Sequence, residues 1–178
     1  MKNAKHLLGI TILGITLLTA TACKQEAKHT ETSEHAQDAN VDAKTAVQAK
    51  PEFKTDSIAT VFQDYLHLKD ALVQTDHAEA KSGAKLLADD ATDESVKRIA
   101  TKISEEEDIK VQRELFSELT TALKPVLAAQ ITSGEIYEQH CPMALKAGAN
   151  WLAVEQEINN PYYGDKMLRC GVVQETIK

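Results

Sequence analysis

From Thr55 to Ile131 the apolar residues recur three or four positions apart, interrupted only by short polar stretches. That period is the signature of amphipathic α-helices, and it limits the fold more than any other feature of the chain. Ile58, Val61, Phe62, Tyr65, Leu68, Leu72 and Val73 make the first stripe, with Thr55 as its N-cap. The polar run Q-T-D-H closes it, and Asp76 with Glu79 three residues on reads as a capping box for a second helix. That helix buries Ala80, Ala84, Leu87 and Ala91, while Gly83 lets a neighbour approach closely. Thr92 is the expected cap of a short third helix carrying Val96, Ile99, Ala100 and Ile103. Ser104 and Glu107 then read as a second capping box, opening a long helix with Phe116, Leu119, Leu123, Leu127 and Ile131. Pro125 inside that run predicts a kink or a break. Four such helices joined by short turns predict an all-α fold, an up-and-down four-helix bundle over residues 55–133. Residues 134–178 are expected to form a small irregular Cys/Met motif packed on it. Few aromatic residues and abundant Ala fit a helical core better than a β-sandwich.

The N-terminal residues specify an address. Residues 1–22 combine Lys2 and Lys5 with an apolar run from Leu7 to Leu18 and a small-residue end, which is the layout of a secretory signal peptide. Ala20, Thr21 and Ala22 directly before Cys23 resemble the lipobox of bacterial lipoproteins. The resemblance implies cleavage before Cys23 and lipidation of that residue. Lys24, rather than an Asp, follows the cysteine, so an outer-membrane anchor facing the periplasm is expected. Residues 23–54 read as a lipidated cysteine and a polar, disordered tether, in which His29 and His35 are solvated filler. The formal charge of −7 becomes more negative once the basic leader is removed, which argues against nucleic acid as a partner. Contact with the membrane is expected through the lipid alone.

With Cys23 set aside, Cys141 and Cys170 remain as a pair, each close to a methionine: C-x-M at Cys141 and Met143, M-x-x-C at Met167 and Cys170. Two thiolates with two thioethers suit Cu(I), and the same set takes cadmium or mercury; zinc makes no use of methionine. His140 is an alternative or outer ligand, and Trp151 with Tyr162 is a candidate wall against water. Two other readings stand beside the metal site. An oxidising periplasm favours a structural disulfide between Cys141 and Cys170, and buried free thiols with methionine as filler are the third possibility. No Gly-rich phosphate loop, G-x-S-x-G elbow or H-E-x-x-H occurs, so a non-enzymatic protein is expected.

The motifs H-C-P-M-A, G-A-x-W-L and I-x-N-P-Y-Y-G-x-x-M-L-x-C-G resemble the bacterial family known as domain of unknown function 3347. A looser match runs through D-Y-L-H-L-K-D-A-L-V-Q-T-D and Q-R-E-L-F-S-E-L, so that the resemblance covers about residues 56–174. It implies a helical bundle with a small capping motif and an association with copper or related soft metals. Members occur as small secreted lipoproteins and as C-terminal domains on adaptor subunits of heavy-metal efflux pumps, so such an adaptor is the implied partner. His140, Cys141, Met143, Met167 and Cys170 correspond to its candidate metal positions, and no catalytic residue carries over. The alternative is an interaction module of the cell envelope in which the two cysteines are a structural disulfide. The tether departs from the pattern by lacking a His/Met-rich stretch. Treating producing cells with globomycin should make the uncleaved precursor accumulate on an immunoblot, whereas unchanged processing would rule out lipidation at Cys23.

Overall fold

The computed structural model describes residues 50–178; the leader, Cys23, His29, His35 and most of the tether lie outside the described residues. Helix α1 spans Asp56–Val73, α2 His77–Asp90, α3 Glu94–Glu105 and α4 Ile109–Ala128. Each turn between them is three residues long, and each helix packs against the next. Thr55 caps α1 as expected, its hydroxyl accepting from the Ile58 amide at 3.4 Å. Asp76 caps α2 by accepting from the Ala78 and Glu79 amides at 3.1 and 3.0 Å. Glu79, however, pairs with His67 at 2.6 Å instead of reaching back to complete a capping box. Gly83 holds α1 and α2 together: a Cβ there would stand 3.0 Å from the Leu68 amide nitrogen.

The later helix starts differ from the sequence reading. Asp93, not Thr92, caps α3, and Asp108, not Ser104, caps α4. Asp93 accepts from the Ser95 and Val96 amides and Asp108 from that of Lys110, and a carboxylate also meets the positive end of the helix dipole, which favours it over a nearby hydroxyl. Ser104 stays inside α3 and donates to the Thr101 carbonyl at 2.7 Å. Pro125 breaks nothing, because it falls in the last turn of α4, which ends at Ala128.

The all-α expectation is corrected by two antiparallel sheets. A short one pairs β1, Glu52–Phe53, with β2, Ile131–Ser133, so regular structure starts upstream of Thr55. The larger has the order β4-β3-β5, with β3 at Ile136–Cys141, β4 at Ala149–Ala153 and β5 at Val172–Ile177. The extended piece expected over 135–140 is therefore the central strand of a sheet. Short strands of five or six residues rich in aromatic and β-branched side chains leave too little periodicity to identify without their partners.

Sheet and helices share one core. Tyr65 on α1 is fully buried; its hydroxyl pairs with Thr120 of α4 at 2.8 Å and accepts the Leu152 amide of β4 at 3.0 Å. An aromatic row runs through Phe53, Phe62, Tyr65, Phe116, Tyr162 and Trp151, with neighbouring centroids 5.2–6.3 Å apart. Lys69, only 2% exposed, reaches Glu155 beyond β4 at 2.6 Å. Among the described residues no helix is long and apolar enough to cross a membrane.

Asp64, on α1, is a weak point in this packing. Burial first, then the repulsion and hydrogen bond of Asp90, push its pKa from 3.8 to about 6, and its Oδ2 has no partner. The folded chain therefore binds this proton more tightly than the unfolded one. Its stabilising contribution is complete below about pH 4 and disappears as pH rises through about 6. Asp64→Asn should raise the thermal midpoint at pH 7.5 and leave it nearly unchanged at pH 4; equal shifts at both would refute this account.

Candidate dithiol site

Cys141 is the last residue of β3, and strand alternation places it on one face with Gln139, directly opposite Ala149 and diagonal to Trp151. Its small opposite neighbour, Ala149, leaves space beside the sulfur. Val172, which opens β5, pairs with His140, so the segment Cys170–Gly171 runs past Cys141. The two sulfurs stand 3.0 Å apart as free thiols. Cys141 is fully buried and Cys170 half-exposed.

The backbone holds both cysteines. The Cys170 amide donates to the Met167 carbonyl at 3.0 Å, and the Cys170 carbonyl accepts from Asn160 Nδ2 at 2.7 Å. Asn160 is itself fully buried; its Oδ1 accepts from the Tyr162 amide at 2.8 Å, and its own amide donates to the Leu168 carbonyl at 2.9 Å. The N-N-P-Y-Y-G turn is fastened from below by Arg113 of α4. Its Nε donates to the Pro161 carbonyl at 2.7 Å, and one terminal nitrogen donates to the Leu72 carbonyl and the Thr75 hydroxyl, each at 3.0 Å. Burial lowers the Arg113 pKa from its ordinary value, yet a guanidinium stays charged. Helix bundle, turn and thiol thus form one connected frame.

The structure brings together only part of the residue set read from sequence. Cys141 and Cys170 meet. Met167 ends the 3₁₀ turn Gly164–Lys166 and is half-buried, closing a four-residue turn with Cys170. Met143 is 58% exposed on the β3–β4 loop, where its carbonyl accepts from the Tyr163 hydroxyl. His140 precedes Cys141 on the strand, so its ring projects from the opposite face, and Nδ1 lies 2.5 Å from Asn150 Oδ1. Asn150 Nδ2 donates to Glu138, which fixes its oxygen as the acceptor and puts the proton of a neutral His140 on Nδ1. Trp151 is fully buried and Tyr162 nearly so, in edge contact at 6.1 Å, and Trp151 stands two residues along β4 from Ala149, the partner of Cys141. Two buried polar atoms, Gln139 Oε1 on β3 and Trp151 Nε1 on β4, have no partner among the described residues.

The thiols influence one another. Cys170 has its pKa raised, first by its hydrogen bond to the Cys141 sulfur, then by burial and by the charge of Cys141. Ionising both sulfurs at once is therefore disfavoured without a cation. Among the described residues no group of three or more His, Cys, Asp or Glu is arranged to hold a metal ion. The donors gathered here are of a different kind, two thiols with thioethers near them in sequence. Arg113, Asn160 and Lys69 escaped the sequence reading: an Arg on a helix, an Asn before Pro and a Lys beside an Asp carry no local sign of burial.

Residues 61–134 match the family model described as Protein of unknown function (DUF3347). Over that stretch, less than half of its length, the chain is similar to this family. No curated protein and no solved structure matches it significantly. The matched part ends at Gly134, before Cys141, so the likeness makes no statement about the dithiol. Gly171 lets the segment after Cys170 pass close against β3 and β4. Its φ is +150°, and a Cβ there would stand 2.8 Å from Trp151 Cη2 and 3.0 Å from the His140 carbonyl oxygen. Gly171→Ala should destabilise the fold by about 1–3 kcal/mol in urea unfolding; an unchanged midpoint would show that Trp151 can move aside freely.

Proposed function

We propose that this chain is a periplasm-facing lipoprotein whose C-terminal segment binds a soft metal ion, Cu(I) above all, between the Cys141 and Cys170 thiolates. Met167 and Met143 supply thioether ligands, while His140, whose ring lies on the opposite face of β3 against Asn150, is left out of the ligand set. The single observation that carries the reading is the 3.0 Å approach of two thiols whose backbones are held in place. A monovalent soft cation would offset one of the two thiolate charges and so favour deprotonation of Cys170, whose thiol is otherwise held protonated by its hydrogen bond to Cys141 and by burial. Trp151 and Tyr162 exclude water from one side, and half-exposed Cys170 leaves a route for ligand exchange. The role is buffering or delivery in metal homeostasis, in support of an efflux pump whose adaptor subunit is the partner. The up-and-down bundle serves as the rigid support, and no step of catalysis is assigned to it.

The same sulfur approach also supports the second reading. There the domain docks on an envelope partner, and a Cys141–Cys170 disulfide only fastens β5 to β3. Titration of the reduced protein with Cu(I) against a competing chelator separates the two. Wild type should compete, and Cys141→Ser with Cys170→Ser should lose more than the roughly 10–100-fold typical of removing an outer-shell group. Unchanged affinity in the double variant would overturn the metal reading at these residues.

A further inference from the structure

The two thiols differ in one respect that bears on more than ligand exchange: only one of them reaches solvent. Cys141 is fully buried beneath the turn that carries Cys170, whereas Cys170 is half-exposed. Their sulfurs are 3.0 Å apart, and a disulfide bond is about 2.05 Å long, so closure needs a relative movement of roughly 1 Å. Both backbones are pinned, Cys170 through Met167 and Asn160, Cys141 through its pairing with Ala149 and the Ala144 amide. Side-chain rotation alone therefore has to supply that movement, and the frame remains as it is.

We propose that Cys141 and Cys170 form a reversible thiol–disulfide exchange site, entered by a disulfide-bearing oxidant through Cys170 and closed by Cys141. In the first step the Cys170 thiolate attacks one sulfur of the oxidant. A mixed disulfide forms at Cys170, the oxidant's own S–S bond breaks, and its other half leaves as a thiolate that takes up the proton lost by Cys170. In the second step the Cys141 thiolate attacks Cys170 Sγ. The Cys141–Cys170 bond forms, the mixed disulfide breaks, and the second half of the oxidant leaves with the proton from Cys141. Two protein thiols are oxidised by two electrons, and one small-molecule or protein disulfide is reduced to two thiols. Buried Cys141 cannot meet the oxidant directly, so the order of attack is set by the fold. Closure removes both thiolates from metal coordination, a consequence that rests on the soft-metal reading above; the exchange itself does not.

The test uses the full chain in mixtures of reduced and oxidised glutathione, quenched with acid and mapped peptide by peptide, so that Cys23 is followed separately. Wild type should lose both free thiols together and carry Cys141 and Cys170 in one linked species, lighter by about 2 Da. Cys141→Ser should trap glutathione on Cys170, while Cys170→Ser should leave Cys141 unmodified. A wild-type pair that stays reduced in every mixture overturns the proposal. So does glutathione trapped on Cys141 in the Cys170→Ser protein with native circular dichroism. Cu(I) titration of the reduced and the closed protein forms a separate arm. Failure of the reduced form to bind sinks the metal reading alone, whereas binding by the closed form equal to the reduced form sinks the proposed consequence alone.

Discussion

The hydroxyl of Tyr65 is the interaction on which the domain depends. It sits at the centre of the core, shares a hydrogen bond with Thr120 of α4 and accepts the backbone amide of Leu152 on β4. Three elements distant in sequence meet at one oxygen. Burial drives its pKa far above the ordinary tyrosine value, so it remains neutral and able to donate. Without it the Leu152 amide would be a buried donor with no partner, a defect of about 1–3 kcal/mol. The stacking of Tyr65 on Phe116, and of Phe116 against Tyr162, extends that fixed point towards the cysteines.

The rest of the structure repeats the same logic of helices that position a small sheet. Arg113 holds the N-N-P-Y-Y-G turn against the end of α1, Lys69 holds the segment after β4, and Lys124 bridges Glu138 and Glu175 across β3 and β5 at 2.9 and 2.6 Å. Each is a charged side chain reaching from a helix to the C-terminal segment. Charge–charge and charge–carbonyl contacts of this kind add direction to an otherwise apolar interface. The result is a rigid seat for Asn160, and Asn160 in turn sets where Cys170 lies. Cys141 needs no such chain of support, because a strand bonded on both sides already fixes it.

Legibility from sequence followed the length over which a pattern repeats. Stripes such as Ile58 to Leu72 or Phe116 to Leu127 run over several turns, and the buried faces are the ones their period indicates. Caps are less secure, because Thr92 and Asp93 are adjacent acceptors for the same kind of contact and only geometry selects between them. The C-terminal strands failed for the opposite reason: A-N-W-L-A is five residues long, and its pairing with β3 is a contact between distant segments. Of the candidate ligands, the two cysteines converge, whereas His140 projects from the other face because it is the immediate neighbour of Cys141 on a strand. A one-residue offset is invisible as long as the segment's conformation is unknown.

Sequence alone determined the helical half, through apolar spacing and the polar caps that bound it, and it singled out Cys141 and Cys170 because few other residues there have soft chemistry. Those are local or compositional properties, readable without knowing what touches what. Tertiary structure alone decided that the C-terminal segment is a sheet, that the two sulfurs lie side by side, and that one is sealed while the other reaches solvent. The physical reason is that strand pairing, burial and thiol proximity are all contacts between residues far apart in the chain, and only the packed core around Tyr65 fixes them.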